Sequence, residues 1–452
     1  MKENKEKYSL WTAISMIVGI CIGSGIFFKA DDVLRDTGGS VSLGIIIFVM
    51  GAFGIIFGSL SLSEFSIISK TNGGIVGYFE EFVSPRIGSA FAWFQTFLYL
   101  PTINVVVSWV AGIYTLQILN ISFTLEKATS IGTGYLLLFY GINYVSMKLG
   151  GDFQRFSAFI KLIPLFLIAI LGFIYGDQLD NDIQNNFSQR ITTQNHSFAW
   201  LAALTPMAFS YDGWTVILNI SKDIKNGRRN VPLALFIGPL VVLIAYLAYF
   251  IGLIKILGVN QILTMGDDSI YQVGNRFFGE YGGSVITLFI LVSILGVTNG
   301  LTIGSIRMPE LLASKGMIKL KSNKNNLSTR PTSNSMIVSL SCSLFWMTVH
   351  YTTQKFNIFN GGDISELAVT FSYICYLILY VKIIQLRKKG ILKKSFKNGL
   401  APILGMFSSL MILIGAVVTN PSTIAIFMCL CLLVCGCGYI SYKKMNGIKI
   451  DA

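Results

Sequence analysis

Long, near-continuous apolar runs constrain the fold of this chain more than any other feature. The clearest cover residues 41–62, 231–257 and 286–303. A helix needs about 20 apolar residues to cross roughly 30 Å of hydrocarbon, and these runs reach that length. They lack the alternation of apolar and polar residues that is typical of a membrane β-barrel. The sequence therefore predicts an all-α membrane protein that crosses the bilayer many times.

The composition is that of a chain surrounded by lipid. Of 452 residues, 53% are hydrophobic and 13% are charged, too few charges to cover a soluble protein of this size. Hydropathy predicts twelve helical segments, which we number in chain order. They cover residues 9–30, 40–65, 88–119, 131–147, 155–176, 197–221, 231–256, 283–306, 335–353, 365–386, 400–419 and 422–442. Segment 1 lacks a small-residue cleavage site behind it, so we expect it to be retained.

The distribution of charge predicts the orientation of the chain. The net charge is +13, and about 27 of the 35 Lys and Arg residues fall on cytoplasmic loops if the N-terminus is cytoplasmic. The tails at 1–8 and 443–452 are then both cytoplasmic, and we expect the protein in the cell membrane. The basic charge thus indicates topology and contact with the lipid bilayer, not binding of nucleic acid.

Residue types that carry catalysis or bind metal ions are scarce. There are seven cysteines and two histidines, and no metalloprotease, serine-hydrolase or P-loop motif occurs. Four cysteines crowd segment 12, but residues two apart on a helix point to different faces and cannot converge on a metal ion. These are Cys429, Cys431, Cys435 and Cys437. The sequence therefore predicts no enzyme activity, no metal site and no cofactor.

Two segments carry residues that break a helix. Segment 1 contains GICIGSGIF at 19–27, and segment 6 contains FSYDGW at 209–214. Each glycine costs about 1 kcal/mol relative to alanine in a helix. A glycine-serine patch in a single membrane helix is also explained by close packing, but two breaks in matching positions point to the central site of a transporter.

The spacing of the breaks predicts an internal duplication. Segments 1 and 6 are five segments apart, as in two inverted five-helix repeats at 9–177 and 197–386, with two added helices at 400–442. Unwinding frees N–H groups at the start of one half-helix and carbonyls at the end of the other. The first attract a carboxylate and the second an ammonium group. An α-amino acid carries both groups one carbon apart, and we expect it as the substrate.

The motifs at both breaks resemble a known family. Residues 22–27 (IGSGIF) are similar to the segment-1 signature of the amino acid–polyamine–organocation superfamily. Residues 209–214 resemble the F-A-Y-D-G-W of its L-type amino acid transporter branch, which includes bacterial serine/threonine exchangers. Further similarity extends over residues 8–320. The resemblance implies the leucine-transporter fold of two inverted five-helix repeats.

The resemblance also implies roles for residues at the breaks. The substrate carboxylate is expected at Ser24, Gly25 and Ile26. The ammonium group is expected at backbone carbonyls of segments 1 and 6, namely those of Cys21, Ile22, Phe209, Ser210 and Asp212. Phe209 matches an aromatic gate over the substrate, and Thr215 is expected to line the side-chain pocket.

Charged residues inside the segments are the remaining candidates. Lys161 lies within segment 5, where a lysine is costly unless it is partnered or snorkels to an interface. In the family, a lysine here fills the place of sodium and ties segment 5 to segments 1 and 8, which predicts sodium-independent transport. Asp212 either bonds freed N–H groups or tunes side-chain selection. Glu64 and Arg307 belong either to a cytoplasmic gate or to simple helix ends.

These observations predict transport of neutral L-amino acids by alternating access. We expect the mode to be exchange, with proton-coupled uptake or uniport of the same substrates as the alternative, and an amine or polyamine carrier as a further alternative. A membrane sensor that binds amino acids is the least favoured alternative, because such a protein would be expected to carry a soluble signalling domain outside residues 8–442. Eukaryotic L-type members have a cysteine between segments 3 and 4 that links them to a glycoprotein, and residues 120–130 contain none. We therefore expect no disulfide-linked heavy subunit.

Overall fold

The structure, a computed structural model, describes residues 8–23, 25–70, 74–179, 198–320, 332–359, 362–419 and 421–447. In the first half of these residues the α-helices are α1 (Leu10–Cys21), α2 (Gly25–Asp36), α3 (Val41–Ile68), α4 (Gly74–Tyr78), α5 (Pro85–Phe94), α6 (Leu100–Ile118), α7 (Leu125–Val145), α8 (Met147–Ile160) and α9 (Leu162–Leu179). Two π-helical turns, Phe79–Val83 and Gln95–Tyr99, lie on either side of α5.

The second half follows the same pattern of long helices. It contains α10 (Leu204–Ser210), α11 (Val216–Asn219), α12 (Gly227–Leu257), α13 (Val259–Met265), α14 (Ser269–Phe278), α15 (Gly282–Ser314), α16 (Ser333–Lys355), α17 (Ile364–Lys388), α18 (Leu400–Thr419) and α19 (Pro421–Gly447). Short 3-10 turns occur at Ala199–Ala203, Ser221–Asp223, Gly266–Asp268 and Phe396–Asn398. Across the described residues, the β-pairing consists of an isolated bridge between Tyr8 and Ile224.

Eight of the described helices are long and apolar enough to cross a membrane, and the bent pair α1–α2 makes a ninth. The other predicted segments, 4, 6 and 9, coincide with α7, with the broken α10–α11 and with α16. Each of the twelve predicted segments therefore falls on a helix or a broken helix. The prediction of an all-α polytopic membrane protein is confirmed.

Segment 1 continues beyond its predicted end at residue 30, because α2 runs to Asp36. The last turns of α2 are too polar for a hydropathy window to detect. They are held by charge pairs on the helix surface, since Arg35 contacts Asp32 at 2.8 Å and Asp31 at 3.2 Å. The helix therefore extends through residues that composition alone assigns to a loop.

The two broken segments lie in the core of the bundle. Helix α12 packs against α1, α3 and α9, and α10 packs against α2, α3 and α17. Helix α15 packs against α6 and α8 on another side. Large aromatic side chains fill the centre, and Tyr211, Trp214 and Tyr246 are almost fully buried. The breaks are thus enclosed by helices and do not face lipid.

Candidate functional site

The two helix breaks lie directly against each other. Helices α1 and α2 are bent by 57° where they meet, and α10 ends at Ser210 before a turn that leads to α11. A Cβ atom on Gly25 would lie 2.8 Å from Ser210 Cα, closer than side chains approach a backbone. Gly213 has a φ of 105°, and a Cβ there would overlap Ile20. Both glycines are needed because the broken backbones are in contact.

A tyrosine that sequence analysis missed spans both breaks. The Tyr246 hydroxyl of α12 lies 2.7 Å from the carbonyl oxygen of Cys21 and 2.7 Å from that of Ser210. Its single proton is shared between these two acceptors. Both carbonyls are among those that we expected to meet a substrate ammonium group, so Tyr246 holds them in this structure. The one sequence feature that could have pointed to Tyr246 is its position, as a residue with a hydroxyl group, within an apolar helix.

The structure brings most of the predicted break residues together. Ile22 and Ile26 are buried beside Gly25, and the Ile22 N–H still bonds to Val18 of α1 at 2.9 Å. Ser24 lies outside the described residues.

The residues predicted in segment 6 are placed close to the same point. The Phe209 ring packs edge-to-face on Phe28 of α2, with centroids 5.6 Å apart. Phe209 therefore packs against α2, and its role as a gate stays a prediction. Thr215 is half-buried and precedes α11, where its side chain makes no capping bond.

Asp212 has a partner that the sequence did not indicate. Its carboxylate accepts a hydrogen bond from the hydroxyl of Tyr99, which ends the π-helical turn before α6. Asp212 is thus tied to segment 3 by a side chain.

Lys161 is buried, with 3% of its surface exposed. It occupies the turn between α8 and α9, and its ammonium group donates to the carbonyl oxygen of Gly19 in α1. This contact joins segments 5 and 1, and the burial disfavours snorkelling. The approach of segment 5 to segment 8 runs through another residue, because a Cβ on Gly296 would overlap the Ser157 side chain.

The two candidates for a cytoplasmic gate are not brought together. Glu64 is buried and accepts a hydrogen bond from Asn398 Nδ2 at 2.8 Å, which connects α3 to the turn before α18. Arg307 is exposed on α15, and among the described residues it forms no ion pair. At the same end of the bundle, Tyr8 exchanges backbone hydrogen bonds with the strand-like residues 223–225.

A buried charge cluster at the opposite end of segment 1 was also missed. Lys29 of α2 lies 2.6 Å from Glu366 and 3.0 Å from Asp363 in α17 and its N-cap, and 3.3 Å from Asp32. We refer to these four residues as the Lys29 cluster. It joins segment 1 to segment 10 beside the Phe28–Phe209 contact.

The cysteines of segment 12 point in several directions. Cys429 and Cys437 are exposed, whereas Cys431 is buried. In the part of the chain that the structure describes, no group of three or more His, Cys, Asp or Glu side chains is arranged to hold a metal ion.

A polytopic helical membrane protein with two apposed helix breaks is the class that this architecture defines. The sequence model of the family described as amino acid permease matches residues 8–442, and the chain belongs to that family. The predicted resemblance to the superfamily is thereby confirmed.

The chain is also similar in sequence to amino acid exchangers and transporters, as expected for a member of this family. The chain is 27% identical over 386 residues to a serine/threonine exchanger of Bacillus subtilis (strain 168), covering 85% of this chain and 84% of that protein. It is 22% identical over 437 residues to the human b(0,+)-type amino acid transporter 1, covering 92% and 84%. It is 24% identical over 314 residues to the mouse Asc-type amino acid transporter 1, covering 67% and 57%. Family and relatives together support amino acid transport.

Proposed function

We propose that this protein exchanges neutral L-amino acids across the cell membrane, independently of sodium, with both termini in the cytoplasm. The observation that carries the proposal is the contact between the two breaks at Gly25 and Ser210. There the N-terminus of α2 and the C-terminus of α10 present opposite ends of two helix dipoles to one point. A zwitterion whose ammonium and carboxylate groups are bonded to the same carbon atom complements this arrangement, as a sugar or a simple cation does not.

The carboxylate of the substrate is assigned to the N-terminus of α2, at Gly25 and Ile26, together with Ser24. The ammonium group is assigned to the carbonyls of segments 1 and 6, where it takes over acceptors that Tyr246 holds in this structure. Phe209 closes over the substrate from the side of α2. Two packed five-helix repeats, 9–177 and 197–386, provide the parts that move relative to each other.

Sodium independence is supported by Lys161. Its ammonium group bonds to the Gly19 carbonyl, so a cation is already present between segments 5 and 1. A second cation at this place would be repelled by it. Uptake into proteoliposomes should therefore be equal in sodium and choline buffers. Loss of uptake in choline would contradict this assignment.

Exchange is favoured over the alternatives by the relatives, since the Bacillus subtilis protein is named an exchanger. Proteoliposomes loaded with unlabelled serine or left empty distinguish exchange from net uptake. Exchange predicts uptake of labelled serine or threonine only into loaded vesicles. Equal uptake into empty vesicles would indicate uniport, and uptake abolished by a protonophore would indicate proton coupling.

An amine or polyamine carrier is the remaining alternative. Its support is the carboxylate of Asp212 at the break, which would attract an additional positive charge. Thermal-shift measurements of the purified protein against neutral amino acids and polyamines separate the two, because a ligand that binds the folded state raises its melting temperature. A shift with polyamines alone would reject the proposed substrate class.

A further inference from the structure

The π-helical turn at Gln95–Tyr99 has a specific cause in the sequence. Pro101 follows two residues later and has no N–H group, so the carbonyl of Phe97 lacks its usual helical donor. The backbone widens instead, and the Leu100 N–H bonds to the Gln95 carbonyl, five residues earlier. Such single turns are frequent at functional sites because they redirect the side chains that follow.

Helix α16 satisfies the carbonyl that Pro101 leaves without a partner. Trp346 Nε1 donates to the Phe97 oxygen at 2.7 Å, and the Cys342 thiol donates to the same oxygen at 3.2 Å. These residues are four apart and therefore lie on one face of α16. An exposed π-turn could revert to other backbone arrangements, whereas this one is held from outside its own helix.

The turn ends at Tyr99, whose hydroxyl donates to the Asp212 carboxylate. The Tyr99 ring is packed by Phe94, at a centroid distance of 6.0 Å, and Phe94 in turn packs on Phe371 of α17 at 4.7 Å. Tyr99 is 7% exposed, so its ring has little freedom to move. The direction of its hydroxyl is therefore set by the π-turn and transmitted to the break of segment 6.

We propose that Tyr99 is a positioning residue for substrate binding. Its hydroxyl fixes the Asp212 carboxylate at the break, and Trp346 keeps the π-turn that presents this hydroxyl. The inference rests on the proposed function, which places the substrate ammonium group at backbone carbonyls of segments 1 and 6, the carbonyl of Asp212 being among those predicted. It adds segments 3 and 9 to the machinery, although neither carries a helix break.

The decisive experiment is a double-mutant cycle with exchange kinetics in proteoliposomes. Tyr99→Phe should raise the KM for the amino acid about tenfold, the effect of losing one hydrogen bond to a charged group, while the maximal rate changes less than about twofold. In an Asp212→Ala background, where the Tyr99 hydroxyl has lost this acceptor, the same substitution should have little further effect on KM. Equal effects of Tyr99→Phe in both backgrounds, or none in the wild type, would overturn the proposal.

A matched control lies on the same helix. Tyr114 of α6 is fully buried, and within the described residues its hydroxyl has no partner, so Tyr114→Phe removes a hydroxyl without removing a bond. Its KM should equal that of the wild type. A KM raised as much as in Tyr99→Phe would mean that loss of any buried hydroxyl has this effect, and would overturn the proposal.

Trp346→Phe is a second test variant, and it tests the contact between Trp346 and the π-turn. It keeps an aromatic ring but removes the N–H that holds Phe97, so it should raise KM in the same direction and non-additively with Tyr99→Phe. An additive effect would exclude the link through the π-turn.

The failure of the proposed function can be distinguished from the failure of this inference. Absence of amino acid exchange by the wild type contradicts the proposed function. The same cycle is then read from melting temperatures without ligand. Non-additive losses for Tyr99→Phe and Asp212→Ala support the positioning contact, and additive losses refute it.

Discussion

Replacing Lys29 with methionine tests how much the Lys29 cluster contributes to stability. Side-chain exposure is 4% for Lys29, 5% for Asp363 and 8% for Glu366, so all three charges are removed from solvent. Methionine fills much of the lysine volume but leaves the two carboxylates buried without their cation. Breaking a buried pair in this way costs about 3–5 kcal/mol, much more than the net contribution of the pair itself.

The expected change in melting temperature follows from the size of the chain. Unfolding entropies of about 2 cal/mol/K per residue give roughly 0.9 kcal/mol/K for 452 residues. Lys29→Met should therefore lower the melting temperature by about 3–5 °C. The measurement is thermal unfolding of the detergent-purified protein, followed by tryptophan fluorescence. Adding Glu366→Gln in the same chain should recover part of the loss, because one of the unpaired charges is removed.

The exposed pair Arg155–Asp152 provides a matched control. It has the same i,i+3 spacing as Lys29 and Asp32 and a distance of 3.3 Å, but its side chains are 81% and 51% exposed. Arg155→Met should change stability by less than about 1 kcal/mol. Equal melting temperatures for the Lys29 and Arg155 variants would refute the reasoning, since burial would then have no influence on the value of the charge pair.

Two further predictions concern a glycine and an acid. Gly25→Leu should abolish uptake without loss of expression, because even its Cβ would lie 2.8 Å from Ser210 Cα. The control is Gly304→Ala, whose Cβ meets open space and which should retain uptake. Full uptake by Gly25→Leu would contradict a substrate site at Gly25. In the turn before α14, burial and the nearby Asp31 raise the pKa of Asp267 well above its usual range. The folded state then holds this proton more tightly than the unfolded state, so stability is lost as pH rises from the usual Asp range through the raised pKa. Asp267→Asn should raise the melting temperature at about pH 8 and leave it unchanged near pH 4, and a gain of equal size at both values would contradict this.

The positions of the helix breaks were predictable because their cause is local. Clustered glycines at 19–25 and the Asp-Gly pair at 212–213 weaken a helix wherever it is placed. The apolar runs likewise predicted the helices, since length and hydropathy are properties of the sequence alone. The end of α2 was not predicted, because its charged residues are stabilised by pairing that a hydropathy window does not record.

The partners at the site were not predictable for a different reason. Tyr246 lies in a helix that is apolar on all sides, and such a helix carries no periodic signal of which face meets the core. The same holds for Tyr99, whose direction depends on a π-turn that shifts the helical phase by one residue. The pairing of Lys29 was not predictable for a third reason, because its acidic partners at 363 and 366 are more than 330 residues away in the sequence.

The arrangement at the break also explains how substrate could change the protein around it. In this structure one Tyr246 proton is shared between the carbonyls of Cys21 and Ser210, each 2.7 Å away, so both acceptors are incompletely satisfied. A substrate ammonium group has three donors and can satisfy both carbonyls while leaving a third for another acceptor. Under the proposed function, binding would therefore strengthen the connection between segments 1 and 6 and would free the Tyr246 hydroxyl from it. Tyr246 belongs to α12, which also packs on α3 and α9. A change in the hydrogen bonds of Tyr246 would therefore affect the packing between helices of both proposed repeats.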